Sequence, residues 1–204
     1  MNDPFASSRR LGKVVLGAIC LRILFSLGMK VMNPMFARGL RGSDAVRTFF
    51  QAQRGVGNLL TIIVIVLFMI WLRSEVVALR TTGAPIKTTP LMAILGWFIP
   101  FANFVLPLLS TRDVYKHRLP RSSGVLPIFW WLSYIALTIS TVVSGFVPVP
   151  FPLGLVIVLT CFGLWFAMVF AVVSAPAVPH IAPSMVPLAY APTQAQPVQP
   201  WPQR

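Results

Sequence analysis

Five long apolar runs punctuate this chain, and each is separated from the next by residues carrying charge, proline or both. A helix needs about 20 mostly apolar residues to cross the hydrocarbon core of a bilayer. The runs at about 11–29, 58–79, 91–109, 127–147 and 151–174 approach or reach that length. They predict an all-α polytopic membrane bundle with five hydrophobic segments. The link between the last two, Pro148-Val149-Pro150, is short enough to make them an antiparallel hairpin.

The third run departs from the pattern. Trp97-Phe98-Ile99-Pro100-Phe101-Ala102-Asn103-Phe104-Val105-Leu106-Pro107 carries two prolines and an asparagine. In hydrocarbon neither a freed carbonyl nor an unpaired amide is tolerated unless neighbouring helices shield it. A broken third segment, wrapped by the others, is the expectation.

Between the first two runs, Ser43-Asp44 provides a helix start, with a side-chain acceptor and a negative charge at the positive end of the helix dipole. Val46, Phe49, Phe50 and Val56 then alternate with Arg47, Gln51, Gln53 and Arg54, which predicts an interfacial amphipathic helix over 44–57 leading into the second run. Residues 1–10 read as an N-terminal tail. Residues 175–204 hold prolines 176, 179, 183, 187, 192, 197, 200 and 202 and no charge before Arg204, which predicts a disordered, partly polyproline tail.

Composition narrows the class. The 204 residues are 56% hydrophobic and only 10% charged, with a mean hydropathy of +0.79. That charge cannot cover a water-facing surface, since soluble domains carry roughly 25%. The net charge of +13 raises the question of nucleic acid. The cations sit in short clusters between apolar runs, however, where they set orientation and meet anionic headgroups, so no nucleic-acid partner is expected. Cys20 and Cys161 lie within apolar runs and read as small buried hydrophobes. Ser8-Arg9-Arg10 ahead of an apolar stretch faintly suggests a signal, but the run continues past Cys20 to Met29 and reads as an uncleaved first span.

Orientation follows from counting Lys and Arg on each side. With five crossings and the N-terminus outside, the inner side holds Lys30, Arg38, Arg41, Arg47, Arg54, Arg112, Lys116, Arg118, Arg121 and Arg204, ten against six. Starting inside reverses that score. If the third run instead dips in and returns, an inside N-terminus gives eleven against five. The two better arrangements share a cytoplasmic tail and a cytoplasmic Arg112–Arg121 loop.

Two groups of residues could carry chemistry. Arg22 lies near the middle of the first run, where a cation costs several kcal/mol unless it is partnered or snorkels. Asn103 and the carbonyls freed by Pro100 and Pro107 are its candidate acceptors, and together they would form a polar site inside the membrane. Arg73, Glu75, Arg112 and Asp113 flank the second and third runs and form candidate interfacial ion pairs, all on one face only if the third run is re-entrant. No metal-ligand cluster, phosphate-binding glycine loop or nucleophile–base set stands out, and the histidines are His117 in a basic loop and His180 in the tail. The sequence therefore calls for no catalytic residue, cofactor or metal.

Thr89-Pro90, then Trp97-Phe98-Ile99-Pro100, Asn103 and Pro107, then Arg112-Asp113-Val114-Tyr115 resemble the small multi-pass bacterial membrane proteins grouped as domain of unknown function 4328. Phe68-Met69-Ile70-Trp71-Leu72-Arg73 and Trp130-Trp131 support the resemblance, which covers roughly residues 11 to 174. The chain departs from that family at Glu75-Val76-Val77, where an asparagine is common, and at Tyr115, where a tryptophan is usual. The resemblance implies a bacterial inner-membrane protein and brings no activity with it.

The functional expectation is an integral membrane protein that is not an enzyme. It would act through lipid partners, anionic headgroups among them, or through a protein partner recognised by the tail. Pro176-Ala177-Val178-Pro179 and Pro197-Val198-Gln199-Pro200 have the spacing that proline-binding modules read. The alternative is a component of solute or lipid transport, with its polar site at the broken third segment.

Overall fold

The structure is a computed structural model that describes residues 3–39, 44–99, 103, 105–144 and 151–176, with the side chains of 30–39, 45–47 and 151–152 left aside. The described chain is all helical: α1 (Ala6–Gly39), α2 (Asp44–Thr81), α3 (Met92–Leu95), α4 (Leu106–Arg118), α5 (Leu126–Val143) and α6 (Phe151–Ser174). Four stretches are long and apolar enough to cross a membrane, Ala6–Met29, Thr48–Thr81, Leu126–Val143 and Leu153–Ser174. The third apolar run is not among them.

Helix boundaries shift from the sequence expectation for local reasons. Residues 6–10 belong to α1 rather than to a tail, because Asp3 accepts the Phe5 amide through Oδ1 (2.9 Å) and the Ala6 amide through its carbonyl (3.1 Å). Such acceptors satisfy donors that a helix start leaves free. The interfacial helix and the second run fuse into one helix, α2, with Asp44 in its first turn. At its other end Gly83 takes φ +80°, the Ala84 amide reaches the Leu79 carbonyl and the Gly83 amide reaches Arg80. This crossed pair is the Schellman closure that glycine permits.

The third run folds as a hairpin that turns back. Thr89 Oγ1 accepts the Met92 amide (3.1 Å) and starts α3, which lasts four residues. Single turns follow through Ile99, and α4 begins at Leu106 with Pro107 in its first turn, where proline gives up no needed donor. Gly96 lies against Leu106: a Cβ at residue 96 would fall 2.6 Å from Leu106 Cβ. The ends of the hairpin also meet, since Asp113 Oδ2 accepts the Thr88 amide at 2.9 Å. Arg80 clamps the same loop by donating to the Thr88 carbonyl through Nε (3.3 Å) and Nη2 (3.0 Å). The chain therefore leaves this segment at the end of the bundle where it entered, so the run turns back rather than continuing to the opposite end.

The end at which α1 begins, here the near end, also holds the last turns of α2, α4 and α6 and the first turn of α5. Helix α1 runs antiparallel to both α2 and α6, so Gly12 sits beside Trp71 and Val173 while Arg22 reaches Thr61 and Phe162. Between the helices Phe68 is the hub, with ring centroids 5.4 Å from Trp71, 6.0 Å from Trp97, 5.5 Å from Trp130 and 5.1 Å from Trp165. One ring thus ties the hairpin, α5 and α6 to α2. In lipid the gain comes from close packing rather than from apolar transfer, and the outward faces stay apolar, as at Leu24, Ile62, Phe129 and Val156. The 148–150 link and the tail from 177 lie outside the described residues.

Candidate functional site

Three of the helices that reach the near end, α1, α2 and α4, send polar side chains inward to one point. From Phe5, just before α1, the buried stripe runs on along the helix through Ser8, Gly12, Val15 and Ile19, the alternating three-and-four spacing of one helix face. On α2 the buried positions Phe68, Leu72, Glu75, Val76 and Leu79 keep the same phase, so a carboxylate falls on the core side. On α4, Pro107, Thr111, Val114 and Arg118 do likewise. These three stripes converge on Glu75.

Glu75 and Arg118 have no exposed side-chain surface, and Glu75 Oε2 lies 3.3 Å from Arg118 Nε. Glu75 Oε1 accepts the Ser8 hydroxyl. Arg118 reaches the end of α6 as well, donating through Nη1 to the Pro176 carbonyl (3.1 Å) and through Nη2 to Val172 (3.2 Å) and Ala175 (3.4 Å). Its guanidinium also stands 4.1 Å from the centre of the Phe5 ring. A cation at a helix C-terminus meets both the free carbonyls and the negative end of the dipole. Burial pulls the Arg118 guanidinium below its ordinary value while Glu75 opposes that pull. An arginine still keeps its proton. The cluster joins α1, α2, α4 and α6 at one point, and with both partners sealed from solvent it acts as a lock between them.

The four candidate ion-pair residues do share the near end, but they do not pair with one another. Glu75 takes Arg118. Asp113 holds the Thr88 amide and stands 3.4 Å from His117 Nδ1, whose nearer partner is the Asp113 carbonyl at 2.8 Å. Arg73 is exposed beside Ser7 and Ser74, and Arg112 is half-buried next to Ser110 and Lys116. Arg118 and Ser8 were missed at the level of sequence. Helical phase counted onward from Thr111 and Val114 would have turned Arg118 inward.

The candidate intramembrane site comes apart into two places. Arg22 donates through Nε to Thr61 Oγ1 (2.9 Å) and through Nη1 to Ser26 Oγ, with its guanidinium 5.3 Å from the centre of the Phe162 ring. Both hydroxyls pass their own protons to helix carbonyls, Thr61 to Gly57 and Ser26 to Arg22. Its partners thus come from α1, α2 and α6, at the edge of a cavity of about 220 Å³ shared with Gln53, Arg54 and Asn58. Asn103 instead lines a groove of about 400 Å³ along α5, beside Trp131, Tyr134 and Thr138, and its Oδ1 is buried with no donor among the described residues. Pro107 is buried at the start of α4, where its carbonyl accepts Thr111 Oγ1 at 2.7 Å. Pro100 lies outside the described residues. Among the described residues the broken segment supplies no acceptor to Arg22.

Among the described residues no three His, Cys, Asp or Glu side chains gather as metal ligands, and Cys20 and Cys161 are free thiols. What the near end does hold is positive charge. Arg9, Arg10, Lys13, Arg73, Arg80, Lys87, Arg112, Lys116, Arg118 and Arg121 gather there against Asp3, Glu75 and Asp113. The described parts of the far end place Lys30, Arg38, Arg47 and Arg54 against Asp44.

Comparison with curated proteins and with solved structures yields no match. The re-entrant hairpin, the Trp97–Phe68–Trp130 packing and the α4 turn around Asp113 all fall within residues 39–182, where one family model matches. The chain belongs to the family described as domain of unknown function (DUF4328).

Proposed function

We propose that this chain is a non-catalytic protein of the bacterial inner membrane, with its near end in the cytoplasm, that acts through anionic lipid headgroups and through a protein partner of its C-terminal tail. The observation that carries the reading is the contact between Thr88 and Asp113. By turning the third run back, it adds Lys87 and the basic turns of α4 to the end that already holds Arg9, Arg10 and Lys13. The positive-inside rule assigns the richer end to the cytoplasm, and clustered cations there attract acidic headgroups within a Debye length of the surface. A transport path through Arg22 and the broken segment has less support, because Arg22 is engaged by Thr61, Ser26 and Phe162 instead.

The direct test is thiol labelling in intact cells of single cysteines at Lys87 and Arg121, both exposed, after replacing Cys20 and Cys161. Both positions should resist an impermeant reagent applied from outside and react once the inner face is opened. Labelling of either from outside would overturn the orientation. Protein extracted in neutral detergent should retain anionic over zwitterionic lipid, and equal retention would remove the lipid part of the reading. Deleting 175–204 should abolish recovery of the partner in a detergent pull-down, and unchanged recovery would remove the tail part.

A further inference from the structure

Where the re-entrant hairpin rejoins the near end, a cavity of about 470 Å³ opens between the 87–92 loop and α4. Lys87, Arg112 and Lys116 approach it from three positions, with Ser110 and the Thr88 backbone at its wall. One carboxylate, Asp113, shares the lining, and it is already committed: Oδ2 holds the Thr88 amide and Oδ1 faces His117. Three cations therefore meet with no uncommitted counter-charge. Arg112 is half-buried at this lining, so its guanidinium stands beside the cavity while partly withdrawn from bulk solvent.

The rest of the lining has a different character. Met92 on α3 and Leu109 on α4 both line it and both remain exposed, at 39% and 48%. They continue the apolar outer surface carried by Leu91, Leu95 and Val105 on the same hairpin. Cations above and an apolar strip below suit one ligand chemistry, a phosphate ester attached to a hydrocarbon chain. A planar guanidinium can take two phosphate oxygens at once while a lysine ammonium serves as a point charge beside it. We infer that this cavity is a phosphate site for the headgroup of an anionic phospholipid, with Arg112 as the oriented donor, Lys87 and Lys116 as flanking charges, and Met92 and Leu109 against the acyl chains.

The inference rests on the reading of the near end as lipid-facing and cytoplasmic, and makes it specific to one place. It is tested on the full chain in neutral detergent, at an ionic strength that screens exposed charge, by following tryptophan fluorescence during three titrations. The probes are short-chain phosphatidylglycerol, short-chain phosphatidylcholine and inorganic phosphate. The wild-type chain should saturate with phosphatidylglycerol, respond weakly to phosphatidylcholine, and bind phosphate far more weakly than the lipid. Arg112→Gln should weaken phosphatidylglycerol binding about tenfold, from loss of a charge-assisted contact, and Arg112→Gln with Lys116→Gln by more. The pair Arg10→Gln and Arg121→Gln removes the same charge from the same end but touches no lining residue, and should weaken binding by less than about threefold under screening.

Equal losses in the two double variants would overturn the site while leaving general attraction of the near end to acidic lipid in place. Equal affinity for phosphate and for the lipid would overturn the assignment to a phospholipid. Equal response to phosphatidylglycerol and phosphatidylcholine in the wild-type chain would remove both the site and the reading beneath it. Far-ultraviolet circular dichroism and a single size-exclusion peak identify variants that have kept their fold, and Lys87→Gln, at an exposed position, gives an independent variant should Arg112→Gln fail to fold.

Discussion

Arg118 and Arg22 are both drawn into the bundle, and they are held in opposite ways. Arg118 meets a carboxylate, three carbonyls and a ring, and has no exposed side-chain surface. Arg22 meets two hydroxyls and a ring, at the edge of a cavity. Both sit on faces that helical phase turns inward. The difference is counter-charge: Glu75 neutralises one cation, while the other distributes its charge through Thr61 and Ser26 onto helix carbonyls. A sealed ion pair binds its elements together because neither member can be removed alone without stranding the other. A cation held by hydroxyls at a cavity edge can be removed with much less consequence. Arg118 is therefore a fastener of the fold, and Arg22 is a side chain that the fold accommodates.

Removing either member of the sealed pair should produce the largest effect. Glu75→Leu and Arg118→Leu each leave an uncompensated buried charge and should each cost about 3–5 kcal/mol of stability. The double variant should be much less destabilised than the sum of the two, read by unfolding in a single detergent. A strictly additive double variant would mean that the two charges are not coupled. Ser8→Ala comes next: it withdraws the donor to Glu75 Oε1 and should cost about 1.5–3 kcal/mol, the range for a hydrogen bond to a charged group. In an Arg118→Leu background the Ser8→Ala cost should change, since both act on the same carboxylate.

Close packing on the same stripe of α1 sharpens the contrast without using charge. A Cβ at Gly12 would fall 2.3 Å from Val173 Cγ2 and 2.9 Å from Trp71 Nε1, so Gly12→Ala should cost about 1–3 kcal/mol through overpacking. Val173→Ala should restore part of that loss, and no restoration would place the strain against Trp71 instead.

The apolar pattern in the sequence located the helices well, because a bilayer demands long uninterrupted runs. Four of its five hydrophobic segments correspond to helices long and apolar enough to cross a membrane. Hydropathy registers that 91–109 is apolar but not that α3 stops at Leu95 and α4 starts at Leu106, and the Thr88–Asp113 contact shows which way the chain leaves. Of the arrangements that the sequence allows, the one in which the third run turns back is the one whose connectivity matches the fold. The ion pair was legible only in half. Phase along α2 places Glu75 on the core face, but a single helix carries no information about the register of its neighbours. Arg118 was counted with the loop cations because the sequence does not mark where α4 ends. Arg22 was legible as a buried cation, and its hydroxyl partners on α1 and α2 were not, since serine and threonine are common on membrane helices and reveal a partner only once two faces are opposed.

Arg22→Leu should have the smallest effect, and it decides whether the comparison holds. The substitution gives up two hydrogen bonds from a charged donor, each worth about 1.5–3 kcal/mol at most. It also removes a cation whose placement at the centre of a membrane helix costs about 2.5–3.5 kcal/mol on insertion scales. The hydroxyls left behind lose little, because Thr61 and Ser26 keep their bonds to the carbonyls of Gly57 and Arg22, the latter a backbone group that the substitution preserves. The opposing contributions nearly cancel, so stability should stay within about 1 kcal/mol of the parent chain. A loss as large as that of Arg118→Leu would show that Arg22 has a counter-charge of its own. It would then belong with Arg118 as a fastener, and the distinction between paired and accommodated cations would fail.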